Sequence, residues 1–293
     1  MTGVTPLDSA WIAANPAPVH AAGTTKNSRG RVLAIGGAAS VPGALRLTGE
    51  AALRAGAGKL QIATIAAAAL HLGIAVPEAG VIALAQDDDG EIAGDGGEAL
   101  AKPLASCDAL VVGPGIGDHD AAARVARRVL GQADTGTGIV VDAASIPALA
   151  ACRALLARFD QPPIVTPHHG EMAALTGESI DAIAADPEGI ARAVARDYGV
   201  VVVLKADNTL VAAPDGCVLH YRGGGIGLAT AGSGDVLAGA IAGLLSRGAS
   251  PLVAAGWGVW LHGHGGRRVA TRRGPIGFLA RELPGEFPRL LPQ

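Results

Sequence analysis

The stretch of this chain richest in chemistry covers residues 223–245, GGGIGLATAGSGDVLAGAIAGLL. Its glycines let the backbone turn tightly and bring bare N–H groups close to a ligand. The apolar run beyond Ser233 reads as a buried helix. The first turn of such a helix offers free amides and the positive end of the macrodipole, a good place for anionic oxygens. Asp235 would repel a phosphate there, so it needs a separate task. The task open to it is that of a general base, which takes the proton from a hydroxyl attacking the phosphoryl group. Aspartate also caps helix starts well, so GSGD by itself leaves base and cap both standing.

Other residues offer polar chemistry at the ends of apolar runs. Lys205 closes VVVVL and is followed across a tight turn by Thr209; at the end of a strand it is placed to meet a phosphate or a ribose. His168 and His169 lie in a Pro-His-His-Gly turn, where a neutral imidazole can hydrogen-bond a ligand or simply face solvent. His262 and His264 are two residues apart on a helical stretch, so they point in different directions, cannot chelate together and read as packing or interface residues. VVGPGIG, with Asp142 at the end of the next strand, imitates a dinucleotide fingerprint, but Asp118 stands where the third glycine belongs. Gly58-Lys59 is followed by Leu60 and lacks the upstream glycine of a phosphate-binding P-loop. The acidic segment DDDGEIAGDGGE (87–98) lacks the ligand spacing of a calcium loop and reads as a solvated turn. No metal-ligating set of protein side chains is legible.

The elements that must position these groups alternate. RVLAIGG (31–37) reads as a buried strand running into a glycine loop, residues 45–57 carry polar side chains at helical spacing, and LQIATI (60–65) is the next strand. The alternation continues through strands at 80–84, 108–112, 139–146, after 162 and over 200–224, with helices between them and two apolar helices beyond 233 and 251. The fold expected is one doubly wound α/β domain over 31–293 with a mainly parallel central sheet, preceded by an arm of residues 1–30 that lies over it. In such sheets ligands sit off the carboxyl ends of the strands. Loops 36–43, 113–118, 166–170, 205–209 and 223–235 are therefore expected to face one cleft.

Composition narrows the function class. Hydrophobic residues make up 49% and aromatics only 3%, so the core is built from small aliphatic side chains that allow backbones to approach closely. A net charge of −3 without a basic stripe argues against a nucleic-acid partner. Cys107, Cys152 and Cys217 are odd in number and without C-x-x-C spacing, which fits a reducing cytoplasm. The apolar stretches are broken by Gly, Pro and charge before they reach membrane-spanning length, and no secretory leader is expected at the start.

Taken together, IGGAASVPGA with ALRAGAGK, VVGPGIG, VTPHHGEM, VVVLKADNTLVAAPDG, GLATAGSGDVLAGAIAGLL and WLHGHGG resemble, in order and spacing over residues 25–290, the ADP/ATP-dependent NAD(P)H-hydrate dehydratases of the ribokinase-like superfamily. The resemblance implies a three-layer α/β/α sandwich and a stand-alone dehydratase domain without a fused epimerase. It implies phosphorylation of the C6 hydroxyl of (6S)-hydrated NADH or NADPH, then elimination of phosphate. Asp235 would activate that hydroxyl, and the amides of Gly232, Ser233 and Gly234 would stabilise the transferring group. Ala44, Gly115, His168 and Asp235 match positions that touch the hydrated cofactor; Lys205, Ala206, Asp207, Asn208, Thr209 and Gly234 match the adenine-nucleotide site. Mg2+ is implied by the ADP or ATP donor, and a homo-oligomer, a tetramer in relatives, is implied as well. The chain departs from the family pattern at Thr25–Asn27, at DAASI (142–146) and in GGGIG (223–227), where an Asn is usual. A small-molecule kinase of the same fold and a nucleotide-binding regulator without catalysis remain alternatives.

Overall fold

The computed structural model describes residues 3–20 and 23–292. Ten strands form one sheet: β1 (Val4–Pro6), β2 (Arg31–Ile35), β3 (Lys59–Ile65), β4 (Ala79–Leu84), β5 (Ala109–Val112), β6 (Gly138–Val141), β7 (Ile164–Val165), β8 (Val201–Leu204), β9 (Asn208–Ala212) and β10 (Val218–Arg222). Their order across the sheet is β1-β10-β9-β8-β7-β6-β5-β2-β3-β4. From β8 through to β4 every pairing is parallel, and β9 alone among the described strands runs against the rest. β5 and β8 are buried along their whole length, as strands covered on both faces must be.

The helices are α1 (Ser9–Ala14), α2 (Ala44–Arg54), α3 (Ala66–Ala75), α4 (Ala101–Leu104), α5 (His119–Gln132), α6 (Leu149–Leu156), α7 (His169–Thr176), α8 (Ile180–Ala185), α9 (Pro187–Tyr198), α10 (Ser233–Ser246) and α11 (Pro251–Arg273). One layer holds α2, α10 and α11, with α10 packed against each of the other two, laid over β2, β5, β6 and β8 to β10. The other runs through α5, α6, α7, α8 and α9. This is the doubly wound α/β domain that the alternation of elements predicts, in the three-layer α/β/α form that the resemblance implies, and α11 and its fellows include no helix long and apolar enough to cross a membrane among the described residues.

Register decides where the loops emerge. Ile35 pairs with Val112, Val112 with Val141, and Val141 with Val165, so the last residues of β2, β5, β6 and β7 stand in one row. The chain therefore leaves the sheet at Gly36, Gly113, Asp142 and Thr166 at a common level. β8 continues two residues past the Val165–Val202 pair, and Lys205 then forms a bridge with His168. The chain winds outward from β2 to β3 and β4 and then resumes at β5 on the other side, so β2 and β5 flank a topological switch point.

The arm does more than lie over the domain. β1 pairs parallel with β10, and Asp8 caps α1 by accepting from the amides of Ala10 and Trp11. Trp257 Nε1 of α11 donates to the Asn15 carbonyl at 2.7 Å, which fastens the arm to that helix. One further sequence expectation is corrected. The acidic segment is not wholly solvated: Glu91 and Ile92 are buried, and the Glu91 carboxylate accepts from the Gly117 amide at 3.1 Å, tying this loop to GPGIG. The proline-rich carboxyl end is packed onto the domain, with Phe287 fully buried and Glu286 paired with Arg268 and Arg272.

α10 is the tightest element. A methyl group on Gly239 would fall on the Thr48 carbonyl oxygen of α2, and one on Gly243 would fall on the Ala52 carbonyl. The two helix backbones thus touch directly, which fixes the start of α10 relative to α2. Gly239→Ala is expected to lower stability by about 2 kcal/mol through overpacking, even though Ala gains about 1 kcal/mol of helix propensity over Gly. Gly131→Ala, in a helical site with open space around it, should instead raise stability by about 0.5–1 kcal/mol; denaturant midpoints of the two variants measure both.

Candidate active site

Gly232 caps α10 with φ of +84°, a left-handed conformation that glycine adopts without strain. The tight turn it makes sends the Ser233 amide back to the Thr230 carbonyl (3.2 Å), while Val236 closes the first helical bond onto Gly232 (3.2 Å). The amides of Gly234 and Asp235, and that of Gly232 before them, have no acceptor among the described residues. These are the amides left to meet an anion; Ser233, expected to contribute its own, donates it to Thr230. What Ser233 has left is its hydroxyl, 2.8 Å from His262 Nε2.

A cavity of about 730 Å³ opens in front of this helix start. It is lined by Asp142, His168 and Lys205, from the segments that follow β6, β7 and β8, and by Tyr221 of β10 with Gly223 and Gly225 just beyond that strand. Lys205 is the centre of a charge cluster. Its Nζ lies 3.1 Å from Asp142 Oδ1 and 3.6 Å from Glu171 Oε2, and it reaches to within 3.3 Å of where a Cβ on Gly234 would stand. Burial would push the Lys205 ammonium towards neutrality, but Asp142, Glu171 and Asp235 outweigh that and hold it charged above the usual lysine range. Asp142 is further fixed by the Thr166 hydroxyl, which donates to Oδ1 at 2.6 Å.

Asp235 has the opposite shift. Burial first, then the Asp142 and Glu171 carboxylates, push its pKa up to about 7, and Lys205 offsets this only in part. A carboxylate poised near neutrality is suited to taking and returning a proton, which a simple helix cap need not do. His168 is held differently: its Nδ1 accepts from the Gly170 and Glu171 amides at the start of α7, and Glu171 Oε2 accepts in return from the His168 amide. This reciprocal capping box leaves the other ring nitrogen, Nε2, as its free edge, 3.5 Å from Glu171 Oε1. Burial, helped by Lys205, pushes His262 down to about 4 despite the opposing effect of Ser233, so its ring is neutral.

Of the residues singled out in the sequence, His168, Lys205, Ala206, Asp207, Thr209, Gly232, Ser233, Gly234 and Asp235 share this cavity. Asn208 lies just outside, where it lines a shallower depression beside His169 and Pro187. Ala44 and Gly115 are elsewhere on the same edge, at the switch point, where the Ala44 methyl packs directly over the Gly115 backbone. Leu47, one turn further along α2, packs on Gly232 and joins that region to the GSGD turn. Asp142, Glu171, Tyr221 and His262 also belong to the cavity. The position of Asp142 at a strand end and the His-x-x-Glu capping spacing of Glu171 were available signals. His262 gave none, because its role depends on how α11 crosses α10; it is more than the packing residue its spacing suggested.

The sequence profile of the NAD(P)H-hydrate dehydratase family matches residues 32–289. The chain belongs to this family. Among curated dehydratases, an ADP-dependent (S)-NAD(P)H-hydrate dehydratase of Xanthomonas campestris pv. campestris is 47% identical over 99% of this chain and 98% of its own. The chain spans about half the length of the bifunctional NAD(P)H-hydrate repair enzymes it also matches. Among solved dehydratases, the ADP/ATP-dependent enzyme of Bacillus subtilis, co-crystallized with ATP/Mg2+, superposes with a TM-score of 0.82 at 28% identity, covering 99% of this chain and 98% of that one. A ribokinase-like superfamily protein of Enterococcus faecalis superposes equally well, with a TM-score of 0.82 at 24% identity over 99% of this chain and 96% of its own, and shows the ribokinase-like fold.

The Asp235 shift has a sign in stability. The folded protein holds this proton to a higher pH than the unfolded chain does, so its ionisation between the ordinary aspartate value of 3.8 and about 7 costs stability as pH rises. Asp235→Asn removes the ionisation. Its melting temperature should exceed that of the parent protein near pH 8, with the gap closing as the pH approaches 4; a pH-independent gap would mean that Asp235 is not the group titrating.

Proposed function

We propose that this chain is an ADP- or ATP-dependent (6S)-NAD(P)H-hydrate dehydratase, a carbon–oxygen lyase that repairs hydrated nicotinamide cofactors. The observation that carries the reading is Asp235 itself: a carboxylate with its pKa near neutrality, at a helix start whose next free groups are two anion-binding amides. Hydroxide is a poor leaving group from C6 of the hydrate. Asp235 takes the proton of that hydroxyl as its oxygen attacks the terminal phosphorus of the nucleotide, and the amides of Gly234 and Asp235 hold the equatorial oxygens as charge develops. The C6–O bond then breaks with its electron pair on phosphate, the nitrogen of the ring assists, and loss of the proton from the adjacent carbon regenerates the dihydronicotinamide.

The nucleotide reading rests on Lys205 to Thr209 and Gly234. Lys205 is committed to Asp142 and Glu171, so its contribution is a fixed positive charge shared between carboxylates and phosphate rather than a free arm. The hydrate reading rests on Ala44, Gly115, His168 and Asp235, with the half-exposed His168 ring turned to the cavity. Mg2+ is proposed as the ion carried by the polyphosphate. Among the described residues no group of three or more His, Cys, Asp or Glu could hold a metal, which fits an ion held mainly by phosphate oxygens and water with Asp142 or Glu171 at its edge. It would neutralise charge on the departing phosphates.

Residues 31–293 are taken as one dehydratase domain with residues 1–30 as an arm attached through β1, working in the cytoplasm as a homo-oligomer. Leu70 and Ile74 of α3 are exposed beside the free edge of β4, an apolar surface of the kind a second copy covers.

Incubation with (6S)-NADHX and either ADP or ATP should restore absorbance at 340 nm. Failure with both donors would overturn the proposal, and a kinase would show nucleotide turnover on another substrate without it. Asp235→Asn should keep nucleotide binding while losing at least about 10³ in kcat. The rate should rise with pH through a single ionisation near 7. Since Lys205 lowers the Asp235 pKa, Lys205→Met should move that midpoint to higher pH, and an unmoved midpoint would assign the ionisation elsewhere.

A further inference from the structure

His262 stands one helix behind the helix-start turn and meets it at Ser233. Ser233 Oγ, at 2.8 Å from Nε2, is the side-chain hydrogen-bond partner of this imidazole among the described residues. Both residues line the cavity, and Ser233 is almost fully buried. Because the Ser233 amide is bound to Thr230, only the hydroxyl can serve a ligand. A hydroxyl has one proton to give. If the imidazole accepts that proton, Ser233 presents a lone pair to incoming phosphate, which is repulsive. If the imidazole donates, the serine proton is free to point into the cavity. A ring proton on Nε2 has an acceptor at 2.8 Å, and none is found for one on Nδ1 among the described residues. The geometry favours the neutral tautomer that carries its proton on Nε2.

We propose that His262 is a positioning residue for phosphoryl transfer: its Nε2–H donates to Ser233 Oγ and so turns the Ser233 hydroxyl into a third donor, beside the Gly234 and Asp235 amides, for the transferring group. This rests on the reading of the α10 start as the phosphoryl site. The chemistry is one of orientation, since no bond to His262 forms or breaks. The donor set then has two fixed members from the backbone and one steerable member from a side chain, and the steering comes from α11.

Two measurements test this, the first independent of turnover. In protein labelled with 15N-histidine, with the His262 signals assigned by their absence in His262→Gln, the ring at neutral pH should show protonated Nε2 and bare Nδ1, and Ser233→Ala should shift Nε2. The opposite tautomer overturns the proposal whether or not the protein is a dehydratase. The second is kinetic, with turnover of the parent protein run alongside to establish the dehydratase reading separately. His262→Leu should lower kcat by about tenfold to a hundredfold, less than the roughly 10²–10³ lost with an entire oxyanion donor, with KM for the nucleotide little changed. His262→Gln, which keeps an N–H near the Nε2 position, should recover most of that rate. In a Ser233→Ala background the leucine substitution should cost nothing further. Independent, multiplying losses, or a glutamine variant as slow as the leucine one, would show that His262 acts through packing and overturn the assignment.

Discussion

Lys205 carries the one lasting positive charge among the described residues that line the cavity, and Asp142, Glu171 and Asp235 all face it. Three carboxylates around a single ammonium leave a deficit that a low-dielectric pocket does not tolerate. Burial first, and this deficit after it, make Asp235 hold a proton up to about pH 7, while Asp142 and Glu171 lie closer to the ammonium and are further secured by Thr166 and by the α7 cap. Its readiness to exchange a proton is thus imposed from outside, by partners on three different strands and loops. The site gives up some stability at neutral pH in return for that readiness, an exchange common at functional centres.

Holding the cluster together requires strand ends and helix starts to be placed to within a fraction of an ångström, and the small-residue core provides this. The aligned ends of β2, β5, β6 and β7 bring four loops to one level, and the glycine contacts of α10 on α2 remove the slack that larger side chains would introduce. The low aromatic content, which looks like a weakness of the core, is what permits this contact. Ala143 carries the remaining strain: at φ of +50° it is the one described non-glycine residue in the left-handed region, immediately after Asp142 and within the cavity wall.

Much of this was legible beforehand, for physical reasons. β-Branched runs that stop at glycine mark buried parallel strands, and the preference of phosphate for a helix start marks GSGD, so the fold class, the sheet edge and Asp235 as a candidate, base or cap, could be read from local composition. Partners across space could not. Nothing near Lys205 in the sequence says that Asp142 and Glu171 will occupy it, and the two-residue spacing of His262 and His264 correctly separates their directions without saying what either meets. His264 stacks on Trp260 at 3.5 Å, while His262 turns to Ser233. The Ser233 amide was misjudged for a related reason: glycine density shows that a turn can be tight, but only its geometry shows which amide the turn consumes. The acidic loop misled through composition, since one buried carboxylate facing a backbone amide is hidden among its solvated neighbours.

Ala44 and Gly115 stand apart from the large cavity along the same sheet edge, and Leu47 of α2 joins them to the GSGD turn. On the proposed assignment the hydrate spans that turn, reaching from Ala44 and Gly115 to His168 and Asp235 in the cavity where the nucleotide binds. The phosphoryl group then crosses from donor to acceptor without resting on the protein.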